Sequence, residues 1–328
     1  MSRLRLGALG RGLLLALSAL GVLVVGGAFS RTLDLLTHAA PLFVVLGVLA
    51  VALAIRARPL AMPLMVAGAA CALANLWLVV PDLASRFGPE AAAAPDRQIK
   101  ILTQNLWRGN TNHGQTVAAI EASGAEIVVL QEGRDESAAI VAELAKVYPY
   151  HANCLAKNEW CYMAILSRRP IVDWSYHVAD WRPPNYDRMG LVRATIVGPG
   201  GRRFEVIGTH LIHPDPKGEG QQQAEQTIAA VHEASSRDTI FAGDFNRVPW
   251  SFSLRRIDSA LPFQRRTHFL ATWPQRLPIG RGGIAFPFPF LPIDHIYAGS
   301  DWRLVDVRRV NTVGSDHAAV LATLVLNP

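Results

Sequence analysis

Charge is scarce in this chain, and in three stretches it is missing altogether. Only 18% of the 328 residues are Asp, Glu, Lys or Arg, while half are hydrophobic. Residues 12–30, 35–55 and 59–81 carry no charged side chain at all. A helix needs about 20 apolar residues to cross roughly 30 Å of hydrocarbon. All three runs are long enough. Three in succession, rich in Leu, Val and Ala, argue against the reading of this region as buried core helices of a soluble domain. Pro41 and Pro63 are tolerable near helix ends or as kinks. Cysteine is also scarce, with three residues in total. No close set of His and Cys ligands occurs, so a zinc site is not indicated. Internal repeats are absent as well.

The few charges near the apolar runs set an orientation. Arg3, Arg5 and Arg11 precede the first run, and Arg56 and Arg58 lie between the second and third. The positive-inside rule puts both groups on the cytoplasmic side. Arg31 in the intervening loop is offset by Asp34. The third span then exits on the far side, and everything after Pro81 is expected to be extracytoplasmic, on a multi-pass protein of the cytoplasmic membrane. If the first run were a cleaved signal peptide, two spans would remain and the domain would still be outside. The net charge of +6 favours anionic partners in general, but these flanking arginines are better explained by topology.

The expected organisation is a membrane anchor over residues 1–81, a linker over 82–98 and one domain over 99–328. The linker reading rests on Pro81, Gly88, Pro89, four consecutive alanines and Pro95. Of the cysteines, Cys71 falls in the third span, and Cys154 and Cys161 are the pair in the domain. An oxidising compartment would let those two pair. Their loop is short, so the entropic gain would be only about 2.5 kcal/mol.

After residue 98, strand-like runs recur and end in polar residues. They are Lys100–Thr103, Ile127–Leu130, Tyr162–Leu166, Leu191–Val197, Phe204–Gly208, Thr239–Ala242, Ile293–Ala298 and Ala318–Val325. Helical patterns fall at Gln115–Ser123, Ser137–Lys146 and Gln221–Ser235; the last has Ala224, Ile228 and Val231 at spacings of four and three. Strands and helices mix without strict βαβ alternation. The pattern predicts stacked sheets covered by helices, an α/β (α+β) sandwich. Asn105, Glu132, His210, Asp244, Asp294 and the Asp316–His317 pair all sit at strand ends. Alone, each reads as a turn or cap residue; on the rim of a sandwich they could converge.

Seven segments taken in order, ILTQNLWRGN, IVVLQEG, YMAILSRRPI, FEVIGTHLIHP, TIFAGDFNRVPWS, PIDHIYAG and GSDHAAVLATL, resemble the endonuclease/exonuclease/phosphatase superfamily. That superfamily includes pancreatic deoxyribonuclease, abasic-site endonucleases, neutral sphingomyelinases and inositol-polyphosphate phosphatases. The resemblance covers the whole domain, about residues 98–327. It implies a four-layered α/β sandwich and a divalent-metal-dependent phosphoric ester hydrolase. The cofactor it implies is Mg²⁺, with Mn²⁺ as the alternative; hard oxygen ligands suit such an ion. Asn105, Glu132 and Asp316 resemble the metal residues. Asp244 and Asn246 resemble the pair that orients the attacking water and contacts phosphate. His317 resembles the general base, or an imidazolium that stabilises phosphoryl oxygens, oriented by Asp294. His210 stands where the deoxyribonuclease-like branch has a histidine proposed as general acid, and where abasic-site endonucleases have a tyrosine. Glu159 is the nearest candidate for its carboxylate partner.

The remaining histidines read as ordinary. His213 decorates a loop, and His295 points away from Asp294 if the strand continues. His113, His151, His177, His232 and His268 are expected at the surface or in packing. The substrate is a phosphodiester of nucleic acid or of phospholipid, and membrane lipid is a second partner; no protein partner is inferred. A nuclease acting outside the cytoplasm leads, on His210 and the basic charge, with Trp107, Arg108 and Asn110 available to touch phosphate or a base. The alternative is a phospholipid or sphingolipid phosphodiesterase, or a phosphomonoesterase, at the membrane surface. It is motivated by the tether and the apolar Ile284–Pro292 segment, IAFPFPFLP. Aromatic residues of this kind are more often buried, so packing against the sandwich rim is the default expectation for these Phe residues.

Overall fold

The computed structural model describes residues 7–55, 60–88, 91–92, 94–155, 162–178, 187, 189–234, 236–277, 279–280 and 283–327. Arg3, Arg5, Arg56, Arg58, Glu159 and Cys161 lie outside them. Two compact units emerge. One holds Met1–Phe87 with Pro214–Gly218 and Val248–Arg255; the other holds Gly88–His213, Glu219–Arg247 and Arg256–Pro328.

In the first unit the apolar runs form three helical stretches, Ala8–Ala28, Arg31–Ala54 and Ala61–Ser85, each long and apolar enough to cross a membrane. Their contacts are made by small residues. A methyl group on Gly47 would come within 2.6 Å of the Gly68 carbonyl oxygen, and one on Gly21 within 2.5 Å of Cys71 Sγ. Helices in lipid gain little from apolar burial, so close backbone approach and polar contacts hold them together. Asn75 supplies one such contact, its amide donating to the Gly21 carbonyl at 3.0 Å. The turn between the first two stretches receives the Val248–Arg255 segment. The Asp34 carboxylate accepts the backbone N–H groups of Phe252 at 2.7 Å and Ser253 at 2.9 Å. These are orphan donors of the helix Phe252–Ala260, so Asp34 caps its first turn. Trp250 Nε1 donates to the Thr37 carbonyl, and Arg255 donates to the Leu78 carbonyl while lying over the Trp77 ring.

In the second unit the strands are β1 (Gln98–Asn105), β2 (Ile127–Gln131), β3 (Tyr150–Asn153), β4 (Ala164–Ser167), β5 (Ile171–Val178), β6 (Gly190–Val197), β7 (Arg203–His210), β8 (Ile240–Asp244), β9 (Gln264–Arg265), β10 (Arg276–Leu277), β11 (Ile284–Ala285), β12 (Asp294–Ala298), β13 (Trp302–Val310) and β14 (Ala319–Leu326). Two mixed six-stranded sheets result, ordered β13-β14-β1-β2-β4-β3 and β5-β6-β7-β8-β12-β9, with β10 and β11 forming a separate hairpin. Alternation along the strands explains the stacking. Ile127 and Val129 of β2 face inward, with Ile101, Val206, Ile240, Ala242 and Ile296, into a core shared by both sheets. Val128 and Leu130 face the other way, onto Ile120, Ile140 and Leu144 of the helices His113–Ala122 and Ala138–Leu144. On the helix Glu219–Ala234, the apolar face expected from spacing is buried at Ala224, Ile228 and Val231. The layered α/β sandwich anticipated from the sequence is therefore the fold.

All eight expected strands are present, with ends displaced by a few residues. The sequence reading lacked β3, β5 and β13, and the two-residue strands β9, β10 and β11. In β5 six of eight residues are exposed and the apolar pattern is weak; pairing along one edge with β6 makes it a strand. Cys154 is disulfide-bonded, whereas Cys71 is a free thiol.

Candidate active site

Strand pairing gathers the polar residues. β1 and β2 run parallel with Asn105 opposite Gln131, which places Glu132 one residue beyond. β7 and β8 run parallel with His210 opposite Asp244, and antiparallel β12 sets Asp294 opposite Asp244 as well. Asn105 and Glu132 thus come from the end of one sheet, and His210, Asp244 and Asp294 from the end of the other. His317 enters from the loop before β14. Gly243 is required here: its φ is +157°, and a methyl group would lie 1.9 Å from the Thr209 carbonyl oxygen on β7.

Two of these residues adopt left-handed backbone conformations, Glu132 at φ 55° and Asn246 at φ 52°. Asn tolerates this region, but for Glu it is strained, and such strain persists only where the surroundings impose it. The Ser137 hydroxyl and the Arg134 N–H both donate to the Glu132 carbonyl.

The side chains meet in one network. Asn105 Nδ2 donates to Glu132 Oε1 at 3.1 Å and to Asp244 Oδ2 at 3.0 Å, while its Oδ1 accepts the Trp107 N–H. Asn246 is tied by its own N–H to Asp244 Oδ1, and its amide donates to the Leu211 carbonyl. His210 Nε2 lies 3.5 Å from Asp244 Oδ2 and 3.9 Å from Glu132 Oε1. Its carboxylate neighbours are therefore Asp244 and Glu132; Glu159, the candidate from chain proximity, is outside the described residues. His317 Nδ1 donates to Asp294 Oδ2 at 2.9 Å, leaving Nε2 3.7 Å from Asp244 Oδ2 and 4.0 Å from Asp316 Oδ1. All eight residues expected from the sequence are thus linked through this rim.

The electrostatics are those of a crowded anionic site. Burial alone would lower the His317 pKa, but Asp294 and Asp244 outweigh it, with the Asp294 hydrogen bond and Asp316 adding to them, and raise it to about 10. Burial raises the Asp316 pKa; Glu132 and Asp244 push it further up, while His317 and the Trp273 hydrogen bond pull it back. His213 keeps an exposed edge, yet desolvation lowers its pKa, and the His210 and His317 charges act the same way against Asp244 and Glu132. It belongs to the site's field, which the sequence reading of a loop decoration missed.

A divalent cation fits these donors. Four carboxylates, Glu132, Asp244, Asp294 and Asp316, face the imidazoles of His210 and His317, and an anionic phosphodiester would be repelled without added positive charge. Asp316 Oδ1 is buried and accepts no hydrogen bond. Ligand atoms of Asp244, Asp294 and His317 also lie within 4.8 Å of one another. In that trio His317 Nδ1 is held by Asp294 Oδ2, while Asp294 Oδ1, like Asp316 Oδ1, is buried without a hydrogen-bond partner. Glu132 and Asp316 offer oxygens of the kind that a hard cation selects.

The Endonuclease/Exonuclease/phosphatase family model matches residues 102–317. The chain belongs to this family. It is accordingly a hydrolase of the endonuclease/exonuclease/phosphatase type. No curated protein matches it in sequence. Among solved structures, an endonuclease/exonuclease/phosphatase from Beutenbergia cavernae is similar at TM-score 0.55 and 19% identity, covering 70% of this chain and 72% of that one. Beta toxin from Staphylococcus aureus, a variant with bound magnesium ions, is similar at 0.51 and 16%, covering 70% and 100%. D. rerio TDP2 with a single-strand DNA product is similar at 0.53 and 13%, covering 69% and 98%. At these identities the likeness is one of fold.

Three further residues surround the site. Ser315 donates its hydroxyl to the Asn105 carbonyl and accepts the His317 N–H, locking the loop that carries His317. Trp273 Nε1 donates to Asp316 Oδ2 at 3.2 Å. Arg247 is buried and donates to the Ile212, Phe245 and Gly220 carbonyls. Ser315 lies in the GSDHAAVLATL segment next to Asp316; Trp273 carries no signal beyond being aromatic. Asn110 is not a substrate contact: it is fully buried, donating to the Leu106 carbonyl and Thr116. His295 is held by Thr267 and the Arg247 carbonyl, on the face away from the site, as strand alternation anticipated.

Proposed function

We propose that this protein is a membrane-anchored, Mg²⁺-dependent phosphodiesterase that acts outside the cytoplasm on phosphodiesters at a lipid–water interface, such as phospholipid or sphingolipid headgroups. The observation that carries the interfacial reading is the β10–β11 hairpin and the chain that follows it. Phe288 is 75% exposed and Phe290 54%, both against Phe286, and Ile279 and Ile284 of the same segment are exposed as well. Only Phe286 is half-buried, so the default expectation that these rings pack on the rim fails. A folded domain exposes a contiguous apolar cluster of this kind where it meets a partner or a membrane, and aromatics are favoured at the interface. The hairpin stem touches the site directly: Gln275 N–H donates to the Asp316 carbonyl, and Phe286 N–H to the Gln275 carbonyl.

The geometry supports a role for each residue. Glu132 and Asp316, with Asn105 beside them, would hold Mg²⁺, which supplies the charge neutralisation that lets a nucleophile approach the phosphate. Asp244, fixed by the Asn105 and Asn246 amides, orients the attacking water and takes its proton. His317, its Nδ1–H fixed by Asp294, serves as an imidazolium facing the phosphoryl oxygens. His210 is placed to protonate the leaving oxygen.

Orientation draws support from two sides. The flanking arginines favour a cytoplasmic N-terminus. The disulfide at Cys154 suits an oxidising compartment.

The second reading is a nuclease, favoured by His210 and by exposed Arg108, whose backbone N–H is already held by Glu132. The deciding experiment is a substrate panel on the full chain in nanodiscs. The interfacial reading expects chelator-sensitive headgroup release from choline- and ethanolamine-type lipids. Cleavage of DNA or RNA with no lipid turnover would replace it by the nuclease reading.

A further inference from the structure

Trp273 occupies an unusual position. Its indole Nε1 donates to Asp316 Oδ2, the oxygen beside the buried, unpartnered Oδ1. Its backbone is the frame of the apolar hairpin: its carbonyl accepts the N–H groups of Phe290 at 2.9 Å and Leu291 at 2.8 Å, and its own N–H donates to the Leu291 carbonyl. The ring packs edge-on against Phe290, with centroids 6.5 Å apart. Two residues on, past Pro274, the Gln275 N–H holds the Asp316 carbonyl. Asp316 is therefore gripped twice, through side chain and backbone, by the segment that pairs with the one carrying the exposed Phe residues.

A carboxylate has two oxygens, and a donor on one of them fixes where the other points. Groups of this kind orient metal ligands, and their loss typically costs about 10–100-fold in metal affinity. An indole is well suited to the task, because it donates one hydrogen bond, accepts none and cannot ionise. It can neither compete for the cation nor add charge.

We propose that Trp273 is a positioning residue that aims Asp316 Oδ1 at the divalent cation and ties that aim to the seating of the Phe290 hairpin. This inference rests on the reading of Asp316 as a metal ligand. A hairpin pressed into lipid would then steady the same strand that holds the ligand, so metal geometry and interface contact share one side chain.

The test is Mn²⁺ binding to the full chain in nanodiscs, read by electron paramagnetic resonance without substrate. Trp273→Phe keeps the ring and removes the donor; its Mn²⁺ dissociation constant is expected to rise about 10-fold. Phe290→Ala should shift it in the same direction by less, and Trp174→Phe, on the outer strand β5, should not shift it. Wild-type affinity in Trp273→Phe would overturn the positioning role. Wild-type affinity in Phe290→Ala alone would overturn the link to the hairpin. A second measurement needs no variant. In ¹⁵N-indole spectra of the wild type, Mn²⁺ should broaden the Trp273 Nε1–H resonance and spare that of Trp174; an unbroadened Trp273 signal would equally overturn the proposal. Failure of the lipid reading is separable. No lipid turnover together with Trp273-dependent Mn²⁺ binding would remove the substrate class and leave this inference standing.

Discussion

The Nδ1–H of His317 is held by Oδ2 of Asp294 at 2.9 Å, with both side chains buried. The pair joins the loop before β14 to the first residue of β12, so it spans both sheets. It fixes the imidazole tautomer and leaves Nε2 facing Asp244 and Asp316. Asp294→Asn retains an acceptor but removes the charge. Its kcat is expected to fall about 10²-fold or more, in keeping with acid–base contributions, with thermal stability changed far less. A rate within twofold of wild type would show that the pair is structural only.

The same pair makes stability pH-dependent. The folded pKa of about 10 exceeds the ordinary value of 6.5, so protonation favours the folded state. This contribution is fully present below pH 6.5 and is lost as pH rises towards and through 10. In chelator, the stability difference between wild type and His317→Gln should therefore shrink from pH 6.5 to pH 10. Thermal unfolding across that range checks it, and a difference that grows with pH would be wrong in sign.

Asn105 bridges Glu132 and Asp244 through one amide nitrogen. Asn105→Ala leaves two carboxylates without their common donor. Mg²⁺ affinity measured by calorimetry should weaken about 10–100-fold. Affinity unchanged by the substitution would mean that the ion sits elsewhere.

Asp34 caps the helix Phe252–Ala260 from the turn between the first two apolar helices. Asp34→Ala should cost about 1–2 kcal/mol, as lost N-caps do. Amide exchange should accelerate at Phe252 and Ser253 first. Exchange at wild-type rates would show that the cap contributes nothing.

Exposed Phe288 has nothing to gain from water. Phe288→Ser should reduce turnover of vesicle lipid severalfold while sparing a soluble phosphodiester. Equal losses on both substrates would point to a folding defect and not to interfacial binding.

Much of this was readable in the chain. Asn105, Glu132, His210, Asp244, Asp294 and His317 stood at the ends of apolar runs, and strand ends on one rim bring such residues together. The runs themselves were legible because their core strands are buried on both faces and read as continuous apolar stretches. What the sequence hid was made by tertiary contact. β5 is an exposed edge strand without a clean period. Trp273 reaches Asp316 across 43 residues, and no local pattern marks such a partner. The exposure of Phe288 ran against the ordinary preference of Phe for burial, so composition pointed the wrong way.

The most direct measurement is headgroup release from phospholipid and sphingolipid bilayers by the full chain, with Mg²⁺ and again with chelator, beside DNA and RNA under the same conditions. Lipid turnover that requires Mg²⁺ and vanishes in Glu132→Gln is the expected result. Turnover that survives both chelation and Glu132→Gln would contradict the metal-dependent site, and nucleic-acid cleavage without lipid turnover would contradict the interfacial substrate.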